Sequence, residues 1–213
     1  VNHILSFIMN QDLQNKLFAK YPNIFRDRNL PMTQTCMCWG IDTNGDGWYN
    51  ILDALCAALT YNYETSKDLK LDGRLLPEGM KYNDPEFSSY FWHHKGVPQV
   101  IADQIKEKYG ILRFYYHFDY DEVFKKMAEK YPNTAKAIYE EQHRYTEGIV
   151  HMAETMSSLT CEETGLPGEM HVSGGTKYGW YKTLNCEYAK TNEECVKRNY
   201  VPVADLPKED DGP

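Results

Sequence analysis

The sequence predicts an α+β fold: a small antiparallel sheet packed by four to five helices, with a ribbon-like module at the C-terminal end. Three observations carry this expectation. Residues 111–118 alternate, with Leu112, Phe114, Tyr116 and Phe118 facing one way and Arg113, Tyr115 and His117 the other, which is the period of a half-buried strand. Residues 134–158 instead repeat apolar side chains at spacings of three and four, the period of an amphipathic helix. Finally, Cys161-Glu162-Glu163-Thr164-Gly165-Leu166-Pro167-Gly168, followed by Leu184-Asn185-Cys186-Glu187, has the cysteine-and-glycine rhythm of a metal-binding knuckle.

At 213 residues the chain has room for one domain, or one domain with a small appendage, and for a core that needs no covalent staples. The expected division is an α+β domain over 1–159, a ribbon-like module over 160–200 and a flexible tail over 201–213. Residues 10–20 read as the first helix: Asn10 caps it, Leu13 and Leu17 share a face, and Tyr21-Pro22-Asn23 stops it. Residues 33–41, around Cys36-Met37-Cys38-Trp39, read as a strand. A helix over 49–60 follows, with Ile51, Leu52, Leu55, Cys56 and Leu59 inward.

Residues 61–97 lack a period and are rich in aromatics beside His93-His94; a loop of that length is functional or packs on itself. Residues 100–109 read as a helix, with Val100, Ile101 and Ile105 on one side and Gly110 as its stop. After the 111–118 strand, Asp119 and Asp121 open a helix that ends at Tyr131-Pro132. In the long helix, Ala135, Ile138, Gln142, Tyr145, Ile149, Met152 and Met156 form the inward stripe. That leaves Glu140, His143, Glu147, His151 and Glu154 on a solvated face roughly opposite.

Composition narrows the function classes. Net charge is −8, which disfavours nonspecific nucleic-acid binding because a phosphate backbone calls for a basic field. Aromatics make up 14% of the residues, including 17 Tyr and 4 Trp, which argues against disorder and supplies candidate interface anchors. No apolar run is long enough to span a membrane, so no membrane partner is expected. The opening Val1-Asn2-His3-Ile4-Leu5-Ser6-Phe7-Ile8 lacks the basic start and small-residue cleavage site of a signal peptide. The cytoplasm is the expected compartment, where the six cysteines are thiols or metal ligands before they are disulfides.

The stretch from Asp42 to Asp53 proposes specific ligands. Asp42, Asn44, Asp46, Asn50 and Asp53 place side-chain oxygens at the first, third, fifth, ninth and twelfth positions, Gly47 holds the sixth, and Trp48 offers its carbonyl at the seventh. That is the layout of an EF-hand-type calcium loop. With Asn at nine and Asp at twelve it looks more like a dockerin loop than a calmodulin-type one, and calcium is the cofactor it would take. The other reading is a tight Asn-Gly-Asp-Gly turn between a strand and a helix. The absence of an entering helix and of a second loop favours the turn.

The Cys161 module lacks the second thiolate that a zinc knuckle needs, because Thr164 stands in its place. At this point the chain resembles a family of uncharacterised proteins of tailed bacteriophages and prophages. The strings that carry the resemblance are Gln34-Thr35-Cys36-Met37-Cys38-Trp39-Gly40, Gly45-Asp46-Gly47-Trp48-Tyr49, Gln104-Ile105-Lys106-Glu107-Lys108-Tyr109-Gly110-Ile111-Leu112-Arg113-Phe114-Tyr115-Tyr116, Met152-Ala153-Glu154-Thr155-Met156-Ser157-Ser158 and the Cys161 module. The resemblance implies a small α+β domain ending in a zinc ribbon, of whose ligands Cys161 and Cys186 carry over. Zinc would then need His171 and Cys195 to complete the set. A ligand-free ribbon fold and a Cys161–Cys186 disulfide are the alternatives. It also implies an accessory protein of the host cytoplasm that binds a host or phage macromolecule, antagonism of a host defence system being one such role. A calcium-dependent interaction module and an enzyme with an unrecognised site are the other classes.

Overall fold

Asn10 caps α1 (Gln11–Lys20) by accepting the Asp12 N–H at 2.8 Å, and Gln14 and Leu17 face inward. The computed structural model describes residues 8–66, 97–120 and 122–207. The strand expected over 33–41 is absent. The Thr35 hydroxyl accepts the Met37 N–H at 3.1 Å, a 3-10 turn spans Met37–Trp39, and Gly40 turns left-handed at φ 81°. Only β1 (Ile41–Asp42) is extended. Hydroxyl-to-backbone bonding has diverted this segment from a ladder, and Cys36 and Cys38 are exposed turn residues. α2 (Tyr49–Ser66) keeps the expected inward set and runs past the expected end at residue 60. The remainder of the aromatic-rich segment, residues 67–96 with His93 and His94, lies outside the described residues.

The expected helix over 100–109 is a strand, β2 (Val100–Lys108), paired antiparallel with β3 (Ile111–Phe118). Tyr109 and Gly110 take φ of 56° and 75°, the paired left-handed conformation of a two-residue hairpin turn. Gly110 therefore marks a left-handed position, as expected, but the position turns a hairpin instead of ending a helix. The alternation of β2 is hidden because Val100, Ile101 and Ala102 are buried in succession, both faces being covered there, and a bulge at Asp103 then shifts the register. The Asp103 carbonyl freed by the bulge accepts the Cys36 N–H at 3.1 Å. β1 pairs in parallel with β2 to complete the sheet.

α3 (Glu122–Lys130) and α4 (Pro132–Ser157) meet at Tyr131, with Pro132 in the first turn of α4. α4 packs on α2, α3 and β3. Its buried face comprises Ala135, Ile138, Gln142, Thr146, Val150, Ala153 and Ser157, rotated from the expected stripe, so that Tyr145, Met152 and Met156 are exposed. Polar residues on and beside this face bond the sheet. The Ser157 hydroxyl accepts the Leu112 N–H at 2.9 Å, and Glu154 holds Arg113 at 2.7 Å and the Phe114 N–H at 3.2 Å. His143 meets the Tyr116 hydroxyl at 3.1 Å. His143 and Glu154, expected on a solvated face, thus look toward β3.

The C-terminal module has its own antiparallel sheet, β5-β4-β6, made of β4 (Glu169–Val172), β5 (Tyr181–Leu184) and β6 (Val201–Pro202). β6 falls where a flexible tail was expected. α5 (Cys186–Thr191) and α6 (Glu193–Lys197) cover a small core of Cys161, Leu184, Ala189 and Cys195. The module locks onto the first sheet through the Gly45-Asp46-Gly47-Trp48 corner. Gly47 donates its N–H to the Glu162 carbonyl at 2.8 Å, and the fully buried Trp48 donates its indole N–H to the Thr160 carbonyl at 2.8 Å. A Cβ on Gly47 would lie 2.1 Å from the Cys161 carbonyl oxygen, so glycine is required by the closeness of the two backbones. The architecture is α+β, and no helix among the described residues is long and apolar enough to cross a membrane.

This interlock makes a stability prediction. Gly47→Ala should lower stability by roughly 3 kcal/mol, the upper end of overpacking costs, or unfold the module outright. Gly148→Ala, in α4 where an added methyl meets nothing within 4 Å, should raise it by roughly 0.5–1 kcal/mol. Denaturant unfolding measures both, and similar effects at the two glycines would refute the interlock.

Candidate functional site

The structure gives the residues of the calcium-like loop separate partners. Asp46 accepts the Asn10 N–H at 2.7 Å and ties the corner to the start of α1. Asp53 is held by Lys20 at 2.7 Å and by the Tyr21 hydroxyl at 2.8 Å; burial pushes its carboxyl up, but these two donors bring it below the ordinary value. The Trp48 carbonyl accepts the Leu52 N–H at 3.0 Å as α2 begins, and Asn50 is exposed on that helix. Asn44, left-handed at φ 55°, donates its amide to Glu107 at 3.1 Å. Asp42, at the end of β1, lies opposite Lys106 in the sheet register. These partners lie at α1, on α2 and at the sheet edge, and Asp42, Asp46 and Asp53 do not together bring carboxylate oxygens within 4.8 Å of one another.

The four proposed zinc ligands separate into two pairs. Cys161 and Cys195 sit in the buried apolar cluster of the module, whereas His171 and Cys186 lie together beside Glu169. The Cys161 turn is closed by two backbone bonds: Cys161 donates its N–H to the Leu166 carbonyl at 2.8 Å, and Gly165 donates its N–H to the Cys161 carbonyl at 2.9 Å. All six cysteines are free thiols, so Cys161 and Cys186 are not joined.

Where the corner, the hairpin and the module meet, they enclose a pocket of about 610 Å³. Its floor is Lys182, bound to Glu162 at 2.8 Å and to Glu163 at 2.7 Å. One wall is Asp42, Asn44 and Glu107. The other is Tyr188, Cys195, Arg198 and Tyr200, with Trp180 exposed at the rim. Arg198 is paired with Glu194. An adjoining hollow of about 520 Å³ shares Glu107 and Trp180 and adds Tyr109 and Tyr178, both exposed.

The electrostatics of this pocket follow from burial. Glu162 is fully buried, and desolvation pushes its carboxyl up to about 7 despite the pull of Lys182. Burial alone would push Lys182 down, but the two glutamates reverse this and hold its ammonium firmly charged. Glu107 is raised by burial although the Gly110 N–H and the Asn44 amide both donate to it, and the neighbouring Asp42 raises it further. Asp42 is itself raised by burial, with Lys106 opposing. Neither Asp42 nor Glu107 has an ion-pair partner among the described residues. Burial also pushes the Tyr188 hydroxyl up to about 12. Chemically, the pocket is an acidic recess with an aromatic rim, suited to a cationic group. Sequence reading placed Asp42, Asn44 and Cys195 in other sites and missed Glu107, Glu162, Glu163, Trp180 and Lys182. Those residues come from separate stretches that only the tertiary fold unites.

Glu162 makes the module sensitive to pH. The folded protein holds the Glu162 proton more tightly than the unfolded chain, where the ordinary value is 4.5. Stability from this group is therefore highest below pH 4.5 and declines as pH rises to about 7, by up to about 3 kcal/mol. Glu162→Gln should remove that decline while Glu163 retains Lys182. Unfolding free energies from pH 4.5 to 7.5 test this, and a difference between wild type and variant that stays flat over the range would refute it.

No protein-family model, curated protein or solved structure matches this chain.

Proposed function

We propose that the chain is a phage-encoded accessory protein that acts in the host cytoplasm by binding a host or phage macromolecule, whose basic side chain enters the seam pocket. One observation carries this reading: half-buried Glu107 and the more exposed Asp42 line the same pocket, and neither has an ion-pair partner among the described residues. Carboxylates so placed are uncomfortable alone, and a lysine or arginine from a partner would relieve both. The exposed Trp180 at the rim, with Tyr109 and Tyr178 next to it, supplies the aromatic surface on which such a side chain stacks and on which hot spots form. The net charge of −8 steers basic partners toward the molecule. The phage-like strings in the sequence suggest the setting, with antagonism of a host defence system as the role.

Immobilised protein should capture a stoichiometric partner from bacterial host lysate, insensitive to EGTA and weakened by salt. Trp180→Ala and Glu107→Gln should each weaken that capture by tenfold or more, which corresponds to about 1.4 kcal/mol. Capture that survives both substitutions would overturn the pocket as the docking site. Capture that EGTA abolishes would return the Asp42–Asp53 loop to a calcium-dependent role.

A further inference from the structure

A second site, independent of the partner-binding reading, lies on the C-terminal module. We propose that Glu169, His171 and Cys186 form a binding site for a zinc ion, with three protein ligands and a fourth position open to solvent. A ring nitrogen of His171, the Cys186 Sγ and a Glu169 carboxylate oxygen all lie within 4.8 Å of one another, and among the described residues no other trio of His, Cys, Asp or Glu does so.

Sheet register builds the cluster. Glu169 and His171 are two apart on β4 and so project from the same face. Antiparallel pairing sets Glu169 opposite Leu184, and the chain reaches Cys186 two residues later, at the start of α5. Asn185 fixes that start: its side chain accepts the Glu187 and Tyr188 N–H groups, and its amide donates to the Pro167 carbonyl at 2.9 Å. Cys186 is thereby held against Glu169, with Sγ 2.7 Å from Oε1.

The donors suit zinc. His171 is buried, and its Nδ1 lies 2.9 Å from the Glu169 backbone carbonyl. A carbonyl can only accept, so Nδ1 carries the proton and Nε2 keeps its lone pair, and this is the outer bond that orients a metal-binding histidine. Thiolate, imidazole and carboxylate together match a borderline-soft dication and disfavour calcium or magnesium. With zinc bonds of roughly 2.0–2.3 Å, tetrahedral ligand atoms lie roughly 3.3–3.7 Å apart, so rotamer-scale movement closes the triangle. Glu169 is exposed and Cys186 half-buried, which leaves the remaining position to water or an incoming ligand. Binding displaces the Cys186 thiol proton to solvent, so affinity rises with pH. Cys161 and Cys195 take no part, because they are packed in the apolar cluster with Leu184 and Ala189.

The test uses the full chain purified without chelator. Zinc should be present at one equivalent, and cobalt added to the stripped protein should give a thiolate-to-metal charge-transfer band. Cys186→Ser should abolish the band and weaken zinc binding by more than 100-fold. Glu169→Gln, an exposed position that leaves the core intact, should weaken it by roughly 10–100-fold. Cys195→Ser should leave the band in place. Failure of the stripped protein to take up zinc or cobalt at micromolar concentration would overturn the site. So would a band that survives Cys186→Ser but is lost in Cys195→Ser, which would restore a ribbon-type ligand set. Circular dichroism of each variant separates metal loss from unfolding.

Discussion

The structure depends on two backbones passing closer than any side chain would permit. Gly47 lies against the Cys161 turn, its N–H bonded to the Glu162 carbonyl, while Gly165 on the other side, at φ 73°, lies against Gly47 in return. This contact holds the second sheet to the first, because Glu162 also donates its N–H to the Thr183 carbonyl at 2.9 Å and Thr183 reaches the hairpin turn at the Gly110 carbonyl. Glu162 is fully buried in this packing, and Lys182 on the neighbouring strand is its ion-pair partner among the described residues.

The charge of the pocket follows from the same packing. One ammonium is shared between Glu162 and Glu163, so the cluster is short of positive charge before Asp42 and Glu107 are considered. A self-contained buried network would satisfy each carboxylate with a donor or a cation. Here Glu107 accepts from two donors but, among the described residues, has no cation at ion-pair distance, the more exposed Asp42 faces Lys106 across the sheet without an ion pair, and desolvation raises both. The imbalance is concentrated at the seam, beneath the exposed aromatics, where a partner's cation can reach it.

Much of the α+β architecture was legible in local patterns. The α1 cap at Asn10, the inward face of α2 and the alternation of β3 are each written in a few adjacent residues whose packing does not contradict them. The errors fall where one signal has two structural meanings. Gly110 required a positive φ, which serves a helix end or a hairpin, and only the pairing of β2 with β3 decides between them. On α4, Ser157 could not be recognised as buried until Leu112 was known to need a hydrogen-bond acceptor. The pocket was least legible: Glu107, Glu162 and Lys182 carry no motif and meet only because the corner brings two sheets together.

The two metal readings show why sequence spacing and spatial convergence come apart in this chain. The Asp42–Asp53 loop has the spacing of a calcium site, yet spacing specifies a site only if the backbone curls around one centre. Here the glycine at the sixth position is needed for contact with Cys161, and the side chains radiate toward α1, Lys20 and Glu107. Glu169, His171 and Cys186 have no recognisable spacing, yet strand alternation and one antiparallel register bring their donor atoms together. Sheet pairing assembles ligands from positions that no linear motif connects. With threonine at position 164 and Cys161 packed in the apolar cluster, chelating chemistry is best sought on the strand face, away from the Cys161 turn.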